Sequence, residues 1–243
     1  MLGLWHTEKQ VTDIDCLTLL KNLKSPRQSK FTVSVEGNIG CGKSTLIEFF
    51  DNSPVVEAIK EPVEKWCNLR GHNALELLYQ DPVRWSFSFN NYAQLTRLQM
   101  HRTKTKKAVK MLERSLYSTR YCFVENSYRD GIITELEYAV LSDWFSFIID
   151  IEDVKVDLFV YLKADPEICY DRIQKRARKE ETGDSGVPFE LIEKLHDLHE
   201  KWLIEQTVAK LPAPVLVLDA NRNLPQMKDV YELHRREILC GYA

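Results

Sequence analysis

Hydrophobic positions along the 243-residue chain form short β-branched or aromatic runs, separated by longer segments with apolar residues every three or four positions. Short apolar runs are typical of buried parallel strands, and the longer pattern is typical of amphipathic helices. The predicted strands are Phe31–Glu36, Val55–Lys60, Tyr121–Glu125, Val156–Leu162 and Val215–Asp219. The predicted helices begin near Lys43, Ala74, Arg84, Glu135, Pro166, Pro188 and Pro225. This alternation predicts an α/β fold in which helices cover both faces of a five-stranded parallel sheet.

The length of the chain accommodates one α/β domain and leaves no room for a second catalytic domain. The polar segment Lys21–Lys30, which contains Pro26, predicts a linker before the first strand. We therefore expect a mobile N-terminal arm over residues 1–30 and a single domain over residues 31–243. Small and charged residues in Glu180–Gly186 predict a mobile loop between two helices.

Charge is nearly balanced, with 33 basic and 36 acidic residues and a net charge of −3. This balance provides no general attraction for nucleic acid or for an anionic membrane, so neither partner is expected. The apolar runs are far shorter than the roughly 20 residues that span a bilayer, which predicts a soluble protein. The six cysteines form no CxxC pair, which favours a reducing compartment. The expected location is the cytosol or nucleus, and a mitochondrial location stays open if a transit segment is missing.

A glycine-rich segment, Gly37–Ser44, follows the first predicted strand, opens a predicted helix and fits the pattern GxxxxGK[ST]. In this motif, backbone N–H groups surround phosphates, the lysine reaches the terminal phosphates, and the hydroxyl binds Mg²⁺. The motif therefore predicts binding of ATP with Mg²⁺ as cofactor. The predicted ATP-binding residues are Gly37, Asn38, Ile39, Gly40, Cys41, Gly42, Lys43, Ser44 and Thr45. A plain glycine-rich turn is the alternative, and GTPases share the motif, although no NKxD element accompanies it here.

Glu61 follows the second predicted strand, at the edge where a doubly wound sheet places its ligands. A carboxylate there can accept the proton of an attacking hydroxyl group, and the alternative is a solvated strand end. Glu113 is a candidate Mg²⁺ ligand together with Ser44, and Arg114 is a candidate for steadying developing charge. The alternative for Glu113 and Arg114 is an ordinary surface pair.

Five cations crowd the segment Arg172–Lys179, before the glycines of the predicted mobile loop. Such a run is commonly a solvated helix face. Its position beside the loop predicts instead that Arg176 and Arg178 close over the transferred phosphate as a lid.

Several motifs occur together: Glu61–Trp66, Glu113–Ser115, Arg120–Glu125, Val187–Pro188 and Leu195–Trp202. With these motifs the chain, from about Phe31 to about Asp219, resembles the eukaryotic deoxyribonucleoside kinases. The similarity is greatest to the group that holds the mitochondrial thymidine kinase and the insect multisubstrate enzyme. The resemblance implies a P-loop NTPase-type fold with an arginine-rich lid and transfer of a phosphate to the 5′-hydroxyl of deoxyribonucleosides. It also implies a homodimer and feedback inhibition by a deoxyribonucleoside triphosphate.

The resemblance also assigns roles to individual residues. It makes Glu61 the general base and places Arg114 beside the 5′-hydroxyl. It also implies that Tyr79 and Glu181 hold the 3′-hydroxyl. The implied catalytic residues are Lys43, Glu61, Arg114, Arg176 and Arg178. The implied nucleoside-binding residues are Glu61, Trp66, Tyr79, Phe89, Asn90, Ala93, Arg97, Arg114, Thr119, Phe123 and Glu181.

Four of these positions depart from the thymidine-preferring pattern. Asn90 stands where the family has a longer glutamine, and Ala93 and Arg97 resemble the deoxycytidine and deoxyguanosine kinases. Thr119 stands where those kinases carry an aspartate and the multisubstrate enzymes an alanine. A shorter amide and a smaller wall residue enlarge the space around the base, which predicts a broad base range that includes purines.

Two other functions are compatible with the phosphate-binding motif. A nucleoside monophosphate kinase would need extra cations at the acceptor end, and the sequence suggests no such cluster near Glu61 or Tyr79. A catalytically silent nucleotide-binding protein would not need Lys43, Ser44 and Glu61. His196 and His199, three apart on a predicted helix, favour a structural role over a metal site.

Overall fold

The computed structural model describes residues 30–181 and 186–242. The predicted arm, up to residue 29, and residues 182–185 of the predicted loop lie outside this part of the chain. The described residues form a sheet of five parallel strands with the order β2-β3-β1-β4-β5. The strands are β1 Phe31–Glu36, β2 Val56–Ile59, β3 Val109–Glu113, β4 Leu158–Lys163 and β5 Val215–Asp219. The predicted α/β class and parallel sheet are confirmed.

Seven of the helices that connect the strands begin within about two residues of the predicted positions, and four short helices were not predicted. The helices are α1 Lys43–Asp51, α2 Val63–Cys67, α3 Ala74–Gln80, α4 Pro82–His101, α5 Leu116–Ser118, α6 Glu125–Arg129, α7 Glu135–Ile151, α8 Pro166–Arg176, α9 Phe189–His199, α10 Leu224–Leu233 and α11 Arg235–Ile238. Pro166 occupies the first turn of α8, as predicted, whereas Pro188 is the residue before α9. In the described part of the chain, no helix is long and apolar enough to cross a bilayer.

The strand predicted at Tyr121–Glu125 is wrong. Residues Thr119–Val124 form a π-helical segment that continues into α6. The β-branched and aromatic residues favoured a strand, but tertiary packing overrides such local preference. Glu125 accepts hydrogen bonds from Arg120 (3.2 Å) and Arg129 (2.8 Å), partners that a helical path brings to one side. The third strand is instead β3, which pairs with β1 and β2 and ends at Glu113.

Strand β4 shows how both faces of the sheet are buried. Val160 and Leu162 pack into one apolar core with α1, while Phe159 and Tyr161 pack into another core with Trp202. Successive strand residues point to opposite faces, so one strand supplies both cores. Burying each large apolar side chain stabilises the fold by about 1.5–3 kcal/mol. The two cores hold the carboxyl ends of β1, β2 and β3 side by side, and the candidate site lies at this edge.

Candidate active site

The loop between β1 and α1 has the backbone conformation that its glycines permit. Gly37, Gly40 and Gly42 all have positive φ angles, which L-residues with side chains rarely adopt. A Cβ atom on Gly40 would lie only 2.4 Å from the carbonyl oxygen of Cys169. The sequence at this turn therefore dictates the curl of the loop against α8.

Lys43 is buried at the start of α1, and its ammonium group points back into the loop. Its Nζ donates to the carbonyl oxygens of Asn38 (2.6 Å) and Gly37 (3.2 Å). Asn38 in turn donates to the carbonyl of Ile192 (2.8 Å), which ties the loop to α9. Residues 39–45 of the predicted ATP-binding set line the cavity, while Gly37 and Asn38 support the loop from behind.

Ser44 and Glu113 meet across the sheet edge. The Ser44 hydroxyl donates to Glu113 Oε1 at 2.6 Å, and the backbone N–H of Glu61 approaches the other carboxylate oxygen at 3.3 Å. A hydroxyl and a carboxylate are the hard oxygen ligands that Mg²⁺ takes together with waters and phosphate oxygens. The two residues thus fit the predicted metal-binding role, and the fold brings them together from 69 positions apart.

Glu61 lies in a cluster of cations. Arg97 donates to its Oε1 atom, and Arg114 Nε lies 3.5 Å from the same oxygen. Burial alone would raise the pKa of the Glu61 carboxyl, but the charges of Arg97, Arg114 and Lys43 outweigh it and lower the pKa below its usual range. The carboxylate is therefore ionised at neutral pH and can accept a proton.

Arg114 is fixed from three sides. It has a φ of 65°, its backbone N–H donates to the carbonyl of Val35 (3.0 Å), and its guanidinium lies 3.4 Å from His199 Nε2. The other ring nitrogen of His199 lies 2.5 Å from the carbonyl of Leu195. Because a carbonyl only accepts, the proton is on Nδ1, and Nε2 is free to accept from Arg114. Burial and the Arg114 charge hold the pKa of His199 well below its usual range, so the ring is neutral.

Aromatic side chains form the walls of the adjoining pocket. Trp66 and Phe89 contact each other edge to face, with ring centroids 5.4 Å apart. The Arg97 guanidinium lies over Trp66 at 5.4 Å and over Phe123 at 5.6 Å. Its other amino group donates to the Thr119 hydroxyl, so Thr119 contacts the pocket through Arg97.

Arg176 and Arg178, the two predicted lid residues, both bind Glu181. Asn73, the cap residue of α3, donates to Glu180 at 2.9 Å and attaches this turn to α3. Tyr79 lies nearby, and burial and the Glu181 charge raise the pKa of its hydroxyl. The arginines are thus brought to the cavity, with their charges matched by the carboxylate predicted to hold the 3′-hydroxyl.

One continuous cavity of about 1310 Å³ connects these groups. Its lining includes every predicted nucleoside-binding residue except Thr119. Ligand pockets commonly enclose about 300–1,000 Å³, so this cavity has room for two ligands at once. The prediction that no cation cluster lies near Glu61 or Tyr79 is wrong, because Arg97 and Arg114 reach Glu61 and the lid arginines reach the surroundings of Tyr79.

Sequence reasoning missed several residues that line the cavity. At one end these are Arg172, Arg222, Leu224, Met227 and Tyr231, and at the other Ser86, Asn126 and Ser127. Arg172 donates to the carbonyls of Ala220 (2.9 Å) and Arg222 (2.7 Å), so it joins α8 to the loop after β5. Apart from Arg172, which begins the cation-rich segment, no motif marks these positions, because they come together only through the packing of separate elements.

The sheet order, the glycine loop and the acidic groups beside it define an α/β protein of the P-loop NTPase type. A model of the deoxynucleoside kinase family matches residues 33–238. Human mitochondrial thymidine kinase 2 is 46% identical over 213 residues, which cover 88% of this chain and 79% of the relative. Chicken deoxycytidine kinase 2 is 36% identical (81% and 84% covered), and human deoxycytidine kinase is 35% identical (82% and 86% covered). The chain therefore belongs to the deoxynucleoside kinase family.

Proposed function

We propose that the protein transfers the terminal phosphate of ATP to the 5′-hydroxyl of deoxyribonucleosides. The observation that supports this most is the ionised Glu61 carboxylate, which lies beside Arg114 in the cavity that the Gly37–Ser44 loop also lines. A general base next to a phosphate-binding loop is the arrangement that phosphoryl transfer to a hydroxyl requires.

In the proposed reaction, the oxygen of the 5′-hydroxyl bonds to the terminal phosphorus while Glu61 takes the proton of that hydroxyl. The bond from that phosphorus to the bridging oxygen breaks, and ADP leaves. Lys43 exchanges its loop carbonyls for phosphate oxygens, and Arg114, Arg176 and Arg178 offset the charge of the transferred group. Ser44 and Glu113 would hold Mg²⁺, which supplies further charge neutralisation when bound.

The base range that we propose is broad and includes purine deoxyribonucleosides. Asn90 and Ala93 leave space around the base, and Arg97 offers donors without any acceptor. The double variant Asn90→Gln with Arg97→Met should shift kcat/KM towards thymidine. A parent enzyme that favours thymidine more than tenfold over both purine deoxyribonucleosides would contradict the proposed breadth.

A coupled assay with ATP, Mg²⁺ and the four deoxyribonucleosides, extended to ribonucleosides, tests the main proposal. Nucleoside phosphorylation is the expected result. Activity confined to nucleoside monophosphates would favour the monophosphate kinase alternative, which the arginines around Glu61 and Tyr79 make chemically possible. Binding of ATP without any turnover would favour the catalytically silent alternative.

We also propose a homodimer that associates through α7. This helix buries Leu141, Phe145 and Ile148 against the domain but exposes a second apolar row. The row consists of Leu136, Trp144, Phe147 and Ile151. Contiguous exposed apolar surface of this kind commonly marks a protein interface.

Feedback inhibition and location complete the proposal. A deoxyribonucleoside triphosphate could occupy the nucleoside pocket with its base and the glycine loop with its phosphates, since one cavity joins the two. Such inhibition should be competitive with both substrates.

We propose a cytosolic or nuclear location for the protein. The name of the human relative gives a mitochondrial location for that protein. Import of the full-length protein into mitochondria would contradict the proposed location.

A further inference from the structure

The inner end of the base pocket is polar, although its walls are aromatic. Ser86, Asn90, Ala93 and Arg97 are buried along one face of α4, at helical spacings of four, three and four residues. Ser86 lies eleven residues from Arg97, which is about 16 Å along the helix axis. Because Arg97 contacts Glu61, Ser86 is the member of this row farthest from Glu61, the proposed general base.

Two serine hydroxyls and one amide form a hydrogen-bonded group at this end. The Oγ atoms of Ser86 and Ser127 lie 2.9 Å apart, and Asn90 Nδ2 donates to Ser86 Oγ at 3.1 Å. Asn90 Nδ2 also donates to the Ser86 carbonyl at 2.9 Å. Since a carbonyl only accepts, this bond fixes the orientation of the Asn90 amide and leaves its Oδ1 atom for another partner.

The group has hydrogen-bonding capacity that its internal bonds do not use. Two hydroxyls carry two protons, and the bond between them uses one. No hydrogen bond to Asn90 Oδ1 occurs among residues 30–181 and 186–242, and Arg97 Nε, at the near end of the row, is buried without a partner there. Ser86, Asn90 and Ser127 all line the cavity, so their unused hydrogen-bonding capacity is available to a ligand there.

We propose that the Ser86 and Ser127 hydroxyls, together with Asn90, recognise the outer polar edge of a purine base. This inference rests on the proposed nucleoside kinase function and specifies the base class that the pocket selects. Ser86 lies one helical turn, about 6 Å, beyond Asn90. A base that ends at Asn90 does not use the remaining hydrogen-bonding capacity of the serines, whereas a second ring extends towards them.

The chemistry of the bases supports the same choice. Guanine presents acceptors at N7 and O6, and adenine presents an acceptor at N7 and a donor at N6. A serine hydroxyl can donate or accept, so the pair can serve either purine. Thymine presents an O4 acceptor beside a C5-methyl group on the corresponding edge, so it offers the serine pair one polar atom where a purine offers two.

Two substitutions at Ser127 distinguish the effect of its hydroxyl group from the effect of the space at the end of the pocket. Ser127→Ala removes one hydroxyl and keeps the room, so kcat/KM for deoxyguanosine and deoxyadenosine should fall about three- to tenfold with thymidine little changed. Ser127→Leu fills the end of the pocket and should lower the purine values more than tenfold while pyrimidines are retained. Ser142→Ala is the control, because Ser142 is a half-buried helical serine whose hydroxyl donates to the Tyr138 carbonyl away from the cavity.

Isothermal titration with each nucleoside in the absence of ATP supplies a second readout, and a thermal melt checks that each variant is folded. Equal changes for all four nucleosides, or an unchanged purine-to-pyrimidine ratio in Ser127→Leu, would overturn the inference. A parent protein that phosphorylates no nucleoside would instead overturn the proposed function, so the two failures are distinguishable.

Discussion

At the scale of single residues, the two arginines beside Glu61 set both the ionisation and the basicity of its carboxylate. Arg97 and Arg114 keep its carboxylate ionised despite partial burial, yet the same two charges reduce its basicity. Such a group suits a reaction in which the hydroxyl oxygen attacks phosphorus while its proton leaves, because the carboxylate then needs only moderate basicity.

Replacing Glu61 by Gln tests this role. The amide keeps the size and the hydrogen bonding of the side chain but cannot take up the proton, so turnover should fall by about 10²–10⁴-fold. Nucleoside binding, measured by calorimetry, should change far less than turnover. Glu232→Gln is the matched control, since Glu232 is an exposed carboxylate that also pairs with an arginine, Arg235. More than half of the parent turnover in Glu61→Gln would show that another group accepts the proton.

Alanine substitutions at Gly131 and Gly40, which both have positive φ angles, distinguish the cost of backbone strain from the cost of a steric collision. A Cβ at Gly131 meets nothing within 4 Å, so Gly131→Ala should cost about 1 kcal/mol in the free energy of unfolding, from the backbone alone. A Cβ at Gly40 collides with the Cys169 carbonyl, so Gly40→Ala should cost more and also weaken ATP binding. Chemical denaturation and nucleotide titration measure the two effects. Equal unfolding free energies for both variants would contradict the proposed packing of the loop against α8.

At the scale of elements, the turn after α8 explains how a cation-rich helix end is held near the cavity. Helix α8 ends at Ala177, which has a left-handed conformation with a φ of 50°. The chain then folds back, and Arg176 and Arg178 bind Glu181 from either side of the turn. Each arginine is only about one third exposed, so these pairs hold the turn together more firmly than pairs in open solvent.

Alanine at Arg176 or Arg178 should lower kcat much more than it weakens nucleoside binding, because the proposed phosphate contact forms mainly in the transition state. Lys175→Ala, an exposed cation on the same helix, should leave both parameters nearly unchanged. Steady-state kinetics for the three variants make the comparison. An unchanged kcat with a raised nucleoside KM would assign the arginines to ground-state binding instead.

At the scale of the whole molecule, α7 carries more apolar surface than one domain can bury. Trp144 and Phe147 are each 53% exposed, and they contact each other edge to face with centroids 6.0 Å apart. An aromatic pair of this kind, next to a buried face of the same helix, is a typical centre for an interface between subunits.

Trp144→Glu should therefore weaken self-association about tenfold or more, because it places a charge at the centre of the proposed interface. Leu233→Glu is the control, since Leu233 is 76% exposed on a different helix, α10. Sedimentation velocity over a range of protein concentrations measures the association. A parent protein that is monomeric throughout that range would refute the proposed dimer.

The sequence alone determined four of the five strands, the glycine loop and nearly half of the cavity-lining set. These features depend on local signals: runs of buried residues, glycines at fixed spacing, and short motifs at strand ends. Strand β3 was the exception, because its five residues carry a weaker apolar signal than the aromatic run at Tyr121–Val124. Pairing with β1 and β2, rather than local preference, makes residues 109–113 the strand.

Only the tertiary structure decided how the site residues combine. The bond between Arg97 and Glu61 joins positions 36 apart, and the contact of Ser86 with Ser127 joins positions 41 apart. No local pattern encodes either pairing, because each depends on where α4 lies against the ends of β2 and β3 and against α6. The residue types were thus readable from the sequence. The partners that set their charge, protonation and hydrogen bonding were not, since long-range packing alone creates those contacts.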